Sequence, residues 1–216
     1  LIEEHVLRAG MTILGGLDAA GKGISGLPAG TVTLLLIGWG GPDQWRYFAA
    51  SPEYTDGKAR PLDRWTQRVV DRLAADLGAA PLYPFSGPPW LPFQAWALAA
   101  GIGYKSPIGL LIHPRYGLSH SYRAALAFDQ PITLPPAETA ASPCDTCVGR
   151  PCLTTCPVGA YTEAGFAVDT CRTYIRTMGK DCRDNGCQAR AACPVGRDYR
   201  YTAEQIRFHQ RAFVNA

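Results

Sequence analysis

The chain has 216 residues, 47% of them hydrophobic, with 21 Lys and Arg against 18 Asp and Glu for a formal charge of +3. That is enough apolar material for a core that does not depend on disulfides. No apolar run reaches the roughly 18 residues of a membrane helix, so a soluble, cytoplasmic protein with no membrane partner is expected. Residues 1–143 carry eleven basic and eleven acidic side chains, and residues 144–216 carry ten and seven. This excess is too small and too local for the basic stripe of a nucleic-acid surface.

In chain order, "IEEHVLRAG" reads as a short helix ending at Gly10 and "MTILGGLDA" as a strand. Next, "GLDAAGKG" (16–23) comes close to a phosphate-binding loop but places Gly23 where a magnesium-holding hydroxyl belongs, and "ISGLPAG" after it does not open a helix. A glycine-rich turn without nucleotide is expected. "TVTLLLIGWG" is β-branched and apolar throughout, as in a strand covered on both faces, and "GGPDQWRYFAASPEYTDGKARP" reads as a turn-rich loop. "LDRWTQRVVDRLAADLG" is amphipathic, with Trp65, Val69, Val70, Leu73 and Leu77 on one stripe, Asp63 as the cap and Gly78 as the left-handed stop.

"PFQAWALAAG" is a second helix with Pro92 in its first turn. "IGLLIHP" and "YRAALAFD" read as two strands joined by the tight "RYGLS" connection. The proline-rich "QPITLPPAETAASP" reads as a linker, and "TAEQIRFHQRAF" as a closing helix with Thr202 and Gln205 as a capping box. The five tryptophans, Trp39, Trp45, Trp65, Trp90 and Trp96, read as core or pocket wall.

All eight cysteines lie between Cys144 and Cys193. They form two sets, Cys144, Cys147, Cys152, Cys156 and then Cys171, Cys182, Cys187, Cys193, each ending in Cys-Pro-Val-Gly. Three thiols in a short loop can turn inward on one cluster, while the proline turns the fourth away. In two-cluster ferredoxins that fourth cysteine binds the other cluster. Carried over, one [4Fe-4S] cluster takes Cys144, Cys147, Cys152 and Cys193, and the second takes Cys171, Cys182, Cys187 and Cys156. The gaps, C-x2-C-x4-C-x3-C-P and C-x10-C-x4-C-x5-C-P, are longer than in bacterial ferredoxins. Structural zinc and disulfides remain the rival readings. Arg172, Arg176, Arg183 and Arg190 are placed to offset the charge of an anionic cluster.

From about Pro81 onward the chain resembles the epoxyqueuosine reductase family, and through it corrinoid reductive dehalogenases and the vitamin B12 processing protein. The likeness is carried by "AAGIGYKSPIGLLIHPRYG", the proline-rich stretch, the two Cys-Pro sets and "CRTYIRT"; before Pro81, "PLDRWTQRVVDRLA" matches best. The resemblance implies an α+β fold, with a nitroreductase-like α/β sandwich over residues 1–130, a linker over 131–143 and a small two-cluster ferredoxin-like module over 144–216. It also implies cobalamin as a second cofactor, held by the sandwich and fed by the clusters. His113, Arg115, Tyr116 and Tyr104 are the polar candidates to line such a pocket, although a histidine before proline also serves as ordinary hydrogen-bonded structure.

The reductases place a proposed proton-donating aspartate ahead of the helix that corresponds to "PFQAWALAAG". Here that stretch is "YPFSGPPW", and no Asp or Glu occurs from Leu77 to Phe128. The C-terminal helical repeats that longer reductases carry for tRNA are not in this sequence either. The expected function is therefore iron–sulfur electron transfer with a soluble redox donor or acceptor protein. The alternatives are a cobalamin-dependent reductase, a zinc-stapled binding module, and a pure ferredoxin whose front domain only docks partners.

Overall fold

The run expected as a doubly covered strand forms β2 (Thr33–Gly40), buried at every position. Its alternating Leu, Ile and Trp side chains supply two apolar faces, and burial is worth roughly 1.5–3 kcal/mol for each large side chain. The computed structural model describes residues 1–137 and 141–215. The chain falls into two units, Leu1–Ile102 with the stretch beginning at His120, and Gly103–Ser119 with the cysteine-bearing C-terminal part. The segment Gly103–Ser119, expected in the first domain, thus groups with the cysteines. Residues 138–140 of the expected linker lie outside the described residues.

The first unit is a four-stranded antiparallel sheet in the order β1 (Thr12–Asp18), β2, β6 (His120–Phe128), β3 (Ala80–Leu82). After β1 the chain makes turns, and Lys22 closes back on Asp18 at 3.1 Å. The helix α1 (Ile2–Arg8) and α5 (Phe93–Ala99) pack on β1, while α4 (Pro61–Leu77) packs on β3 and β6.

The expected loop after β2 contains two short helices, α2 (Trp45–Ala49) and α3 (Pro52–Thr55). Their aromatic side chains explain why. Trp45 and Phe48 (ring centroids 5.3 Å apart) join Trp39 of β2 and Trp65 of α4 (5.6 Å apart) in one buried cluster, and Trp39 Nε1 donates to the Gly10 carbonyl at 3.1 Å. Trp96 is buried as well, but Trp90 is 66% exposed and lies outside the core.

Gly78 ends α4 at φ +65°, as its position suggested. Asp63 is not the cap, because Arg60 holds that place and Pro61 begins the helix. Asp63 lies inside the first turn, where it accepts from Arg123 of β6 at 2.9 Å and from Arg60 at 3.1 Å. Thr66 adds its hydroxyl to Arg123 at 3.3 Å. Similarly, Pro92 precedes α5 as its cap residue rather than sitting in its first turn.

In the second unit, "IGLLIHP" reduces to β5 (Leu111–Ile112), paired with β4 (Tyr104–Lys105). The tight connection is present as a bridge between His113 and Gly117, but β5 and β6 belong to different sheets and do not pair. The cysteine-bearing part contains the short helix α6 (Pro151–Thr154), a ribbon of β7 (Tyr161–Thr162) and β8 (Gly165–Phe166), then α7 (Val168–Thr177), α8 (Lys180–Asn185), α9 (Gln188–Ala191) and α10 (Ala203–Asn215). Half of the expected capping box forms. The Gln205 N–H donates to Thr202 Oγ1 at 3.2 Å, while the Gln205 side chain is fully buried in the unit and does not reach back.

The Asp63–Arg123 pair ties α4 to the sheet with only 13% of the Arg123 side chain exposed. Asp63→Ala should lower the unfolding free energy by about 2 kcal/mol in chemical denaturation, because it takes the carboxylate away from a largely buried guanidinium. Glu4→Ala, which removes the exposed partner of Arg8, should change it by no more than about 0.5 kcal/mol.

Candidate metal centres

The eight thiols are all free, and they gather around two spaces in the second unit. Cys144, Cys147, Cys152 and Cys193 line one, together with Ile112, Leu118 and Val195. Cys156, Cys171, Cys182 and Cys187 line the other, together with Ile108, Ile175 and Tyr161. The fourth cysteine of each sequence segment thus lies with the three of the other. A proline, Pro157 or Pro194, directly follows each crossing cysteine, and a turn is formed there, at 157–158 and 195–196.

Burial comes first among the causes that push the Cys171 thiol up to about 11, followed by the charges of Cys187, Cys156 and Cys182. Burial also leads in raising Cys144 and Cys152, where Cys193 adds repulsion, and in raising Cys182, where Cys187 does. Four thiolates cannot coexist in so small a volume unless a cationic core neutralises them. Donors already face several sulfurs. The Ala160 N–H points at Cys156 Sγ from 3.3 Å, and the Tyr161 hydroxyl lies 3.4 Å from Cys187 Sγ. The Ser142 side chain, which accepts the Cys144 N–H at 3.2 Å, partly offsets the effect of burial on Cys144.

Among the described residues, no three His, Cys, Asp or Glu side chains are grouped to hold a single metal ion. A tetrahedral zinc site draws its sulfurs to about 3.8 Å from one another, given Zn–S bonds near 2.3 Å. A polynuclear core instead keeps each thiolate at its own corner, so eight cysteines distributed four and four suit it in donor type and number. The two spaces differ in size, about 250 Å³ at the second set and about 20 Å³ at the first.

The strap Gly103–Ser119 closes the first space. Ile108, Ile112 and Leu118 form a buried apolar group with Cys152, and Tyr104, Cys144, Tyr161, Cys193 and Val195 pack against it. Its turn meets the second Cys-Pro-Val-Gly backbone to backbone. A Cβ on Gly117 would lie 2.1 Å from the Val195 carbonyl oxygen, and one on Gly196 2.4 Å from the Tyr116 carbonyl carbon; both residues have positive φ. No residue but glycine fits at either place. Gly159, the counterpart of Gly196 in the first segment, has positive φ and open space around it.

The four polar candidates therefore lie in the cysteine-bearing unit and not in the sandwich. Tyr104 is half-buried against the apolar group. His113 Nδ1 accepts the N–H groups of Arg115 and Tyr116 at 3.1 and 3.3 Å, which spends its lone pair on the turn. Arg115 Nε donates to the Tyr199 hydroxyl at 2.8 Å, with its guanidinium over the rings of Tyr116 and Tyr199. These contacts order the strap. Of the four arginines, Arg190 lines the second space and donates to the Leu118 carbonyl at 2.8 Å. Arg172 and Arg176 bind the Phe213 and Val214 carbonyls at the end of α10, where a cation suits the helix terminus, and Arg183 lies by Asp184 at 3.5 Å.

No family model matches the chain, and no curated protein matches it. Solved structures do. The Caenorhabditis elegans B12-trafficking protein CblC, a human MMACHC homologue, is 18% identical with a TM-score of 0.55, over 98% of this chain and 91% of that one. Epoxyqueuosine reductase from Streptococcus thermophilus is 18% identical with a TM-score of 0.54, over 93% and 66%. The chain has the fold of these proteins. The Bacillus subtilis epoxyqueuosine reductase is also similar, 18% identical with a TM-score of 0.51 over 81% and 51%. The chain spans about half to two thirds of the length of the reductases it matches.

Tyr161 and the Gly117–Gly196 contact are the site features that spacing alone did not reveal. The signal was present, since each Cys-Pro-Val-Gly is followed shortly by tyrosine. The crossing predicts which double variants act together. After anaerobic reconstitution, Cys152→Ala/Cys193→Ala should keep about four irons, whereas Cys152→Ala/Cys156→Ala should keep almost none. The reverse order in iron analysis would mean that each sequence segment binds its own cluster.

Proposed function

We propose that this chain is an oxidoreductase of the epoxyqueuosine reductase and CblC type, with two [4Fe-4S] clusters that serve a cobalamin-class acceptor associated with the α/β unit. The observation that carries this reading is the gathering of eight free thiols into two crossed sets of four. The shared fold supports the choice of a reductase over a stand-alone ferredoxin module.

When bound, the clusters supply one-electron transfer. The residues of the chain do the rest. Cys144, Cys147, Cys152 and Cys193 hold one cluster, and Cys156, Cys171, Cys182 and Cys187 the other. Ile108, Ile112 and Leu118 keep water away from the first set, and the Ala160 N–H and Tyr161 hydroxyl bear on the second. Arg190, anchored by Leu118, places a positive charge against an anionic core. A soluble redox protein is the natural donor. Cluster-bearing thiols belong in a reducing compartment, which favours the cytoplasm.

The likeness does not extend to carboxylic acid catalysis in the reductase manner, since no Asp or Glu occurs from Leu77 to Phe128. The reaction served is therefore one that draws its proton from elsewhere, and epoxyqueuosine itself is not the proposed substrate. Anaerobic reconstitution should give a brown protein with about eight irons per chain. The reduced sample should show cluster signals by electron paramagnetic resonance, and added cobalamin should bind with a shifted visible spectrum. A colourless protein holding about two zinc ions would contradict the proposal. Iron without any cobalamin binding would reduce it to a ferredoxin.

A further inference from the structure

The two cysteine segments end alike, in Cys-Pro-Val-Gly and then tyrosine, but Tyr161 comes two residues after Gly159 while Tyr199 comes three after Gly196. The additional residue sends the two hydroxyls to different partners. Tyr199 accepts the Arg115 Nε–H at 2.8 Å and meets the Tyr116 ring edge-on at 4.9 Å. Tyr161 lies 3.4 Å from Cys187 Sγ. Its ring is held in place by stacking on Phe166, with centroids 4.9 Å apart and planes at 16°, and by the pairing of the same two residues in the β7–β8 ribbon.

A ligating thiolate carries no proton, so in this contact the hydroxyl donates and the sulfur accepts. Such a hydrogen bond withdraws electron density from the ligand and favours the more negative, reduced state, which raises the reduction potential. Cys156, five residues before Tyr161, lines the same space as Cys187. One short segment therefore supplies a ligand to the second set and a donor to another ligand of that set.

We propose that Tyr161 is a tuning residue of the second iron–sulfur site, whose hydroxyl holds that cluster at a higher potential than its four cysteines alone would give. This inference rests on the two-cluster reading. It makes the two halves of the repeat unequal, since the corresponding tyrosine of the other half is engaged by Arg115.

The test is a potentiometric titration followed by electron paramagnetic resonance on anaerobically reconstituted protein, after iron and sulfide analysis of each sample. In Tyr161→Phe, which keeps the stacked ring, one midpoint should fall and the other should not move. Replacement of Tyr161 by 3-fluorotyrosine, a stronger hydroxyl donor, should raise the same midpoint. Shifts of opposite sign are not what a merely structural ring would produce. If the wild-type protein holds no iron, the two-cluster reading fails and this inference falls with it. If the irons are intact and neither variant moves a midpoint, Tyr161 is not a tuning residue, while the two-cluster reading stands. Should Tyr161→Phe lose iron, the 3-fluorotyrosine protein decides the question by the same criterion.

Discussion

Four thiols held close together in a largely apolar surrounding cannot all ionise, and the second unit contains two such groups. Burial and mutual repulsion raise Cys144, Cys152, Cys171 and Cys182, with Cys171 reaching about 11. A cationic core would remove the conflict by binding each sulfur as thiolate. Its loading would then be coupled to the final folding of this unit, as in other small metal-dependent modules. The crossing of Cys156 and Cys193 adds a topological consequence, because each group of four thiols draws on both sequence segments.

The strap Gly103–Ser119 follows from the same constraint. Thiols gathered among short helices and turns need an apolar wall that those elements are too small to provide. Ile108, Ile112 and Leu118 supply it. The close approach of Gly117 and Gly196 lets the strap lie directly on the second Cys-Pro-Val-Gly turn. His113 Nδ1 accepts the backbone N–H groups of Arg115 and Tyr116, and the Arg115 side chain donates to Tyr199, which together fix that turn. The strap is thus part of the enclosure of the thiols.

The sequence was most readable where one force dominates. The continuous apolar run of β2 has no alternative to double burial, the stripe and stop glycine of α4 define a helix, and proline after the last cysteine of each segment separates that thiol from its neighbours. It was least readable where long-range partners decide. Trp45 and Phe48 form a helical turn only because Trp39 and Trp65 lie against them. Asp63 leaves the capping role for Arg123, sixty residues away. The run "IGLLIHP" reads as a strand joined to β6 by a tight connection, and only the pairing shows that β5 partners β4. Tyr161 and Tyr199 look equivalent in the repeat, yet a single added residue separates their roles.

Iron-edge anomalous diffraction from crystals of the anaerobically reconstituted protein tests the central claim most directly. It should reveal two four-iron centres, one bonded to Cys144, Cys147, Cys152 and Cys193 and the other to Cys156, Cys171, Cys182 and Cys187. Sulfur–sulfur bonds among these residues, or isolated single ions in their place, would contradict the account.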